Sequence, residues 1–222
     1  MAEKFKCKFV TWDDIVRWVK DVAQKVRESG YKPEVIVALA RGGWIPGRLM
    51  CDHLLVKDLY SLKTEHWGIT ATRDGRAKVV HDVPVSLKNK KVLIMDDITD
   101  TGQSLNLAFE YVKRHNPAEV KTAAMLHITH SKFVPDYYSE EVPADDWTWF
   151  IFPWNYYEDM RNLTTQILKE GEKNLEEIKE LFKRYHDLDV TNEQLQEVLE
   201  LMEKEGFVKR VGDRWALIKP PF

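Results

Sequence analysis

The stretch Val92–Ser104, with the sequence VLIMDDITDTGQS, decides how the rest of the chain is interpreted. Its first four residues are apolar, which is typical of a strand buried on both faces of a sheet. Two adjacent carboxylates and an Asp-Thr-Gly turn follow, and the residues beyond predict a helix to about His115. A buried strand that passes through a polar turn into a helix is the repeating unit of α/β folds.

The flanking sequence repeats this unit. A second buried strand is predicted at Val35–Leu39, followed by the turn Arg41-Gly42-Gly43 and a helix over about 46–53, and an amphipathic helix is predicted from Trp12. Further strands are expected at about 123–128 and 147–152, and strand-like pieces lie at 59–62 and 77–80. We therefore expect an α/β fold with a mostly parallel sheet flanked by helices. In such sheets ligands bind at the carboxyl ends of the strands, where both glycine-containing turns fall.

Composition restricts the class of protein more than its function. The 222 residues are 44% hydrophobic and 31% charged, as in soluble globular proteins. No apolar run approaches the length of a membrane span, and the N-terminus shows no signal-peptide core. The chain has two cysteines in no metal-like spacing and a net charge of -3. We therefore expect a cytoplasmic protein that binds neither membrane nor nucleic acid.

From about residue 162 the pattern changes to two amphipathic helices and a hairpin that turns at Gly212-Asp213. We expect residues 1–161 to form the main α/β domain and residues 162–222 a small α+β module that resembles a winged helix. The module contains ten Lys and Arg against thirteen Asp and Glu, and its second helix carries five glutamates. So acidic a helix would repel phosphates, which argues against DNA recognition. The basic residues of the hairpin, Lys209, Arg210 and Arg214, leave a nucleic-acid role as the alternative. Dimerisation, or bracing of the main domain, is the expected role, with a homodimer or a higher homo-oligomer as the assembly.

The turn after Met95 has the chemistry of a sugar-phosphate site. Asp96 and Asp97 can hold ribose hydroxyls, directly or through Mg2+, which prefers hard oxygen ligands. The backbone N–H groups and hydroxyls between Thr99 and Ser104, at a helix start, can form a nest for a phosphate monoester. An isolated Asp-Thr-Gly is more often a plain structural turn. The strand before it and the helix after it make the functional interpretation the stronger one.

This string resembles the signature of the type I phosphoribosyltransferases, which has an apolar strand, two acids, two variable residues and then Asp-Thr-Gly-x-Ser/Thr. The resemblance implies an enzyme that binds 5-phosphoribosyl-1-pyrophosphate (PRPP) with Mg2+ and exchanges its pyrophosphate for a base, giving a nucleoside monophosphate. It implies that Asp96 and Asp97 bind the ribose hydroxyls and the metal, and that Asp100 is the catalytic residue beside the purine N7. The PRPP-binding set carried over from the family is Asp96, Asp97, Thr99, Asp100, Thr101, Gly102, Gln103 and Ser104.

Two further segments resemble parts of the same family. The turn Arg41-Gly42-Gly43 resembles its pyrophosphate loop, in which backbone N–H groups and a forked cation face the leaving group. The segment 66–81 is expected to be a flap over the reaction, with Arg73, Arg76 and Lys78 either meeting pyrophosphate or remaining solvated.

A third segment bears on the choice of base. The aromatic run 147–154 resembles the segment of 6-oxopurine enzymes that stacks on the purine, with Trp149 as the stacking residue and Phe150 and Asn155 flanking the base. The purine enzymes usually carry a lysine after the third strand, where this chain has Ile128 or Thr129.

The expected function is purine salvage on hypoxanthine, guanine or xanthine. The alternatives are another base, such as adenine or a pyrimidine, and a non-catalytic PRPP sensor. The presence of Arg41, Asp100 and both acids favours the enzyme, because a protein that only binds PRPP would not need all of them.

Overall fold

The computed structural model describes residues 4–66 and 77–220, and these fall into two compact units. The sheet unit is Trp12–Trp147, and the terminal unit combines Met1–Thr11 with Thr148–Phe222. By packing, residues 148–161 therefore belong with the C-terminal elements. The boundary predicted after residue 161 marks the end of the domain that is expected to carry out catalysis. As a functional boundary it stays a prediction.

In chain order the described helices and strands are β1 (Cys7–Phe9), α1 (Trp12–Glu28), β2 (Val35–Ala40), α2 (Trp44–Leu54), β3 (Asp58–His66), β4 (Ala77–His81), β5 (Lys91–Thr99), α3 (Gln103–Lys113), β6 (Glu119–Ile128), β7 (Tyr137–Val142), β8 (Trp149–Ile151), α4 (Tyr156–Leu168), α5 (Leu175–His186), α6 (Asn192–Lys204), β9 (Val208–Val211) and β10 (Arg214–Leu217).

The sheet unit is built on a six-stranded sheet in the order β4-β3-β2-β5-β6-β7. Five of the strands run parallel, and only β4 runs antiparallel to its neighbour β3. The apolar runs of β2 and β5 are central and almost fully buried, because helices cover both faces. Val37 and Ile94 share a core with α3, whereas Ala38 points the other way, towards Gly47 of α2. The expected α/β fold is confirmed.

The order of strands beyond β6 differs from the prediction. The run at 147–152, expected as the fourth strand of the sheet, forms only the short β8, which pairs with β1 in a separate two-stranded parallel sheet. The place beside β6 is taken by β7, which the sequence analysis did not recognise. Its sequence, YYSEEV, lacks an apolar pattern because an edge strand is only half covered, and its side chains are partly or fully exposed.

The terminal unit has one continuous core. Cys7 of β1, Ile151 of β8 and Met160 of α4 pack in the same cluster as Phe182 of α5 and Trp215 of β10. The two predicted C-terminal helices are present as α5 and α6, and the predicted hairpin is β9–β10. Helix α4 was not predicted, although its buried residues recur at helical spacing. Within the described ranges, no helix is long and apolar enough to cross a membrane.

Candidate active site

The sheet brings the two predicted loops side by side. Strands β2 and β5 are parallel neighbours, with Val35 opposite Val92 and Ala38 opposite Met95, so both chains leave the sheet at the same edge. Gly43 begins α2 at this edge, and a Cβ placed on it would lie 2.9 Å from Asp96 Cα and 2.9 Å from Leu39 O. Backbone on both sides leaves no room for a side chain there.

The glycine before it approaches the acids even more directly. A Cβ on Gly42 would collide with the carboxylate of Asp97, so this part of the loop lies against the acid pair. The Ala40–Arg41 peptide is cis, and the Arg41 side chain is exposed. The structure thus joins the predicted pyrophosphate loop to the predicted ribose-binding acids, which are more than fifty residues apart in the sequence.

The two acids at the end of β5 are held by the backbone and affect each other electrostatically. The Asp97 N–H donates to Asp96 Oδ1 at 3.0 Å, and the Ile98 N–H donates to Asp97 Oδ1 at 2.9 Å. Burial raises the pKa of Asp96 well above its usual value, and the negative charge of Asp97 adds to the rise. A pair of this kind suits ligands that bring positive charge or hydroxyl donors.

This donor set fits Mg2+ bound in the way that is usual beside phosphorylated substrates. Within the described ranges, no group of three or more His, Cys, Asp or Glu side chains is arranged to hold a metal. The described residues therefore do not form a site in which protein side chains alone would coordinate a metal ion. Mg2+ commonly takes one or two carboxylates and completes its shell with water and substrate oxygens, and Asp96 and Asp97 can supply that share.

The second predicted loop leads into the N-terminus of α3. Gly102 adopts φ +77° and begins α3, whose first turn carries no side-chain cap. Thr101 Oγ1 accepts a hydrogen bond from the Gln103 N–H at 3.4 Å, and Thr99 is buried. The backbone N–H groups at a helix start, with the positive end of the helix dipole, favour an anion.

Asp100 has two partners that the sequence analysis did not assign to it. Its Oδ1 lies 2.7 Å from His130 Nε2 and 3.3 Å from Trp147 Nε1. Neither His130 nor Trp147 was among the predicted site residues. The pairing of β5 with β6 explains this contact. Thr99 of β5 lies opposite His127 of β6, so the turns after these two strands must lie close together.

The three predicted base-binding residues all lie in the terminal unit. Trp149 and Phe150 are on β8, and Asn155 precedes α4, where its carbonyl accepts from the Asp159 N–H at 2.9 Å. Trp149 is 41% exposed, and its side chain hydrogen-bonds to that of Asp159, which holds the indole in one orientation. Phe150 is only partly exposed, so Trp149 presents the larger accessible ring.

The predicted flap lies largely outside the described residues. Arg73 and Arg76 fall within 67–76, and the side chain of Lys78 is likewise not described. The ends of the segment are described, and they pair as the antiparallel strands β3 and β4.

Known proteins give an independent comparison. A family model described as a phosphoribosyl transferase domain matches residues 9–161. A hypoxanthine-guanine phosphoribosyltransferase of Aquifex aeolicus is 28% identical over 155 residues, which are 65% of this chain and 85% of that protein. A xanthine-guanine phosphoribosyltransferase of Idiomarina loihiensis is 24% identical over 150 residues, covering 67% and 87% of the two chains.

A solved structure agrees with these relatives. The purine phosphoribosyltransferase of Pyrococcus horikoshii has a TM-score of 0.59 and 31% identity, and the match covers 67% of this chain and 93% of that one. The family match covers well over half of the chain and includes both loops described above. The chain therefore belongs to the phosphoribosyltransferase family and is a transferase enzyme.

Proposed function

We propose that this enzyme transfers the 5-phosphoribosyl group from PRPP to a 6-oxopurine in purine salvage, giving a nucleoside monophosphate and pyrophosphate. One observation carries the proposal: the Arg41-Gly42-Gly43 turn lies directly against the acid pair at the end of β5. A pyrophosphate loop and a ribose-phosphate loop must meet in this way if one molecule of PRPP is to span both. The names of the relatives, which act on hypoxanthine, xanthine and guanine, support a purine as the acceptor.

Each part of PRPP has a matching group on this chain. The carboxylates of Asp96 and Asp97 hold the ribose hydroxyls, and the nest from Thr99 to Ser104 holds the 5-phosphate. Arg41 and the backbone of the glycines beside it face the pyrophosphate. Asp96 and Asp97 would hold Mg2+, which would supply positive charge to neutralise the pyrophosphate. The remaining work of the protein is to position the substrates and exclude water.

The reaction exchanges one bond at the anomeric carbon for another. A ring nitrogen of the base donates its electron pair to C1 of the ribose, and pyrophosphate leaves with the electron pair of the C1–O bond. The base then loses the proton on its N7, and the Asp100 carboxylate accepts that proton. Because the transition state resembles an oxocarbenium ion, most of the catalysis comes from orientation and from stabilising developing charge.

Recognition of the base is proposed to depend on Trp149, with Phe150 and Asn155 flanking the ring. The exposed indole of Trp149, oriented by Asp159, is suited to stacking on a purine. The lysine that usually contacts the 6-oxygen is replaced by Ile128 or Thr129. Without that hydrogen-bond donor the site discriminates less sharply between a 6-oxopurine and adenine, which has an amino group at C6. Hypoxanthine, guanine and xanthine share the 6-oxygen and differ at C2, so we expect more than one of them to be accepted.

The test is release of pyrophosphate by the full chain with PRPP, Mg2+ and one base at a time. We expect turnover with at least two of hypoxanthine, guanine and xanthine, a lower kcat/KM with adenine and none with uracil. Chelation of Mg2+ is expected to abolish turnover. A preference for adenine or uracil would overturn the base assignment, and absence of turnover with every base would overturn the proposed reaction.

A further inference from the structure

The turn that follows β6 is fastened to the loop that contains Asp100. The Lys132 N–H donates to the Thr101 carbonyl at 3.4 Å, and the Ser131 N–H donates to the Ile128 carbonyl at 2.9 Å. A Cβ on Gly102 would lie 2.8 Å from Phe133 N, so the two backbones are in contact. His130 therefore sits on a turn that cannot shift without moving the phosphate loop as well.

From this turn, His130 contacts one particular oxygen of Asp100. Its Nε2 is 2.7 Å from Oδ1, and Trp147 Nε1, which can only donate, is 3.3 Å from the same atom. A carboxylate oxygen accepts about two hydrogen bonds, so these donors occupy Oδ1. Neither of them uses Oδ2. The carboxylate is thus held at one oxygen and presents the other.

We propose that His130 is a positioning residue of the transfer reaction, which with Trp147 holds Oδ1 of Asp100 so that Oδ2 faces the base nitrogen that loses its proton. This inference rests on the proposed function, since it requires Asp100 to accept that proton. His130 touches neither PRPP nor the base in this role. It acts by restricting the carboxylate to one rotamer, which raises the fraction of bound substrate that is aligned for reaction.

If His130 and Asp100 formed only an ordinary surface contact, removal of His130 would change neither the thermal stability nor kcat. Both side chains are about 40% exposed, and exposed pairs of this kind contribute little to stability. Removal of His130 should therefore leave the thermal stability nearly unchanged. Its effect should appear in kcat, since a carboxylate free to rotate still permits PRPP to bind.

The experiment compares three substitutions at this position in the full chain, with kcat and the KM for PRPP measured separately. His130→Ala is expected to lower kcat about 10- to 100-fold and to change KM little. This range is the usual effect of removing a residue that orients a functional side chain. His130→Gln should restore most of kcat, because its amide nitrogen can occupy the position of Nε2. His130→Asn, whose amide nitrogen reaches only the position of Nδ1, should not.

Two controls separate positioning from general damage. Lys132→Ala removes an exposed side chain from the same turn but keeps the backbone bond to Thr101, and should retain the parent kcat. In an Asp100→Asn background, His130→Ala should lower kcat less than about two-fold further, because residues acting through one group are not additive.

The outcomes are distinct. Parent-like kcat in His130→Ala, equal kcat in the Gln and Asn variants, or a full additional loss in the Asp100→Asn background would each overturn the inference. If the Ala variant fails to fold, the comparison of Gln with Asn decides. An inactive parent with every base would overturn the proposed function, and the role of His130 with it. An active parent with an unaffected His130→Ala variant would overturn this inference alone.

Discussion

The proposed chemistry depends on one carboxylate, and Asp100 is the residue where that dependence can be measured. Asp100→Asn keeps a hydrogen-bond acceptor for His130 and Trp147 but cannot take a proton. We expect kcat to fall about 100-fold or more, the usual contribution of a general base, while the affinity for PRPP changes only a few-fold. Steady-state kinetics and PRPP binding measured on the same preparation check this. Equal losses in both would contradict the proton-accepting role, and Asp145→Asn, on an exposed carboxylate, serves as the control.

One carboxyl group of the terminal unit, that of Asp159, has a pKa well above its usual value. Asp159 is 93% buried, since its exposed fraction is 7%, and its Oδ2 has no hydrogen-bond partner within the described ranges. Burial raises its pKa to about 6 from the usual 3.8, although a hydrogen bond from Trp149 works in the other direction. The folded protein therefore binds this proton more tightly than the unfolded chain does.

The raised pKa predicts the effect of pH on stability. A group of this kind contributes stability that is complete below about pH 4 and is lost as the pH rises through about 6. Asp159→Asn removes the buried charge, so it should raise the free energy of unfolding at pH 8 by up to about 3 kcal/mol. At pH 4 the difference should nearly vanish. Urea denaturation of both proteins across this range measures it, and a difference that does not change with pH would count against the assignment.

Among the elements, the start of α3 shows why the proposed phosphate loop needs glycine. Gly102 and Gly212 share positive φ values, +77° and +64°, but only Gly102 is crowded, by Ser131 and Phe133. Alanine at either position costs about 1–2 kcal/mol in backbone strain. At Gly102 it must also displace the turn that carries His130.

We therefore predict that Gly102→Ala lowers kcat/KM for PRPP more than ten-fold, whereas Gly212→Ala changes it less than two-fold. The two variants form a matched pair, because the backbone strain is common to both and the collision is not. Enzyme kinetics and thermal unfolding of each variant provide the measurement. Similar kinetic losses in the two would show that strain alone, and not the contact with the turn, limits the loop.

How well the strands of the sheet were predicted depended on how completely each is buried. Strands β2 and β5 and the loops after them were correctly located because their buried runs, Val35–Leu39 and Val92–Met95, consist entirely of apolar residues. The edge strand β7 was missed because its partly exposed side chains include two glutamates and no apolar run. The apolar run at 147–152 was assigned to the wrong sheet because periodicity reveals a strand but not its partner.

For the whole molecule, the shared core of the terminal unit determines where the chain can be cut. Cys7, Ile151 and Met160 are buried against residues of α5, α6 and the β9–β10 hairpin. A chain that ends at residue 161 would expose these apolar side chains to water, at about 25 cal/mol for each Å² uncovered. The functional boundary predicted at this position can therefore be tested by truncation.

We predict that the fragment 1–161 is aggregation-prone and unfolds at a lower temperature than the full chain. A chain that ends at Lys219 retains every described strand and helix and is the matched control, expected to behave like the parent. Size-exclusion chromatography and thermal unfolding compare the three proteins. A monodisperse 1–161 fragment with the parent's melting temperature would show that the terminal core is dispensable.

The sequence by itself determined the α/β class, the two loops and the chemistry that they offer. Those features depend on residues that are close together in the chain, namely an apolar strand, a polar turn and a helix start. Only the tertiary structure decided that Gly42 lies against Asp97, that His130 and Trp147 hold Asp100, and that β8 pairs with β1. The partners in each case are between about 30 and 140 residues apart, and such contacts follow from strand order and packing, which local periodicity does not encode.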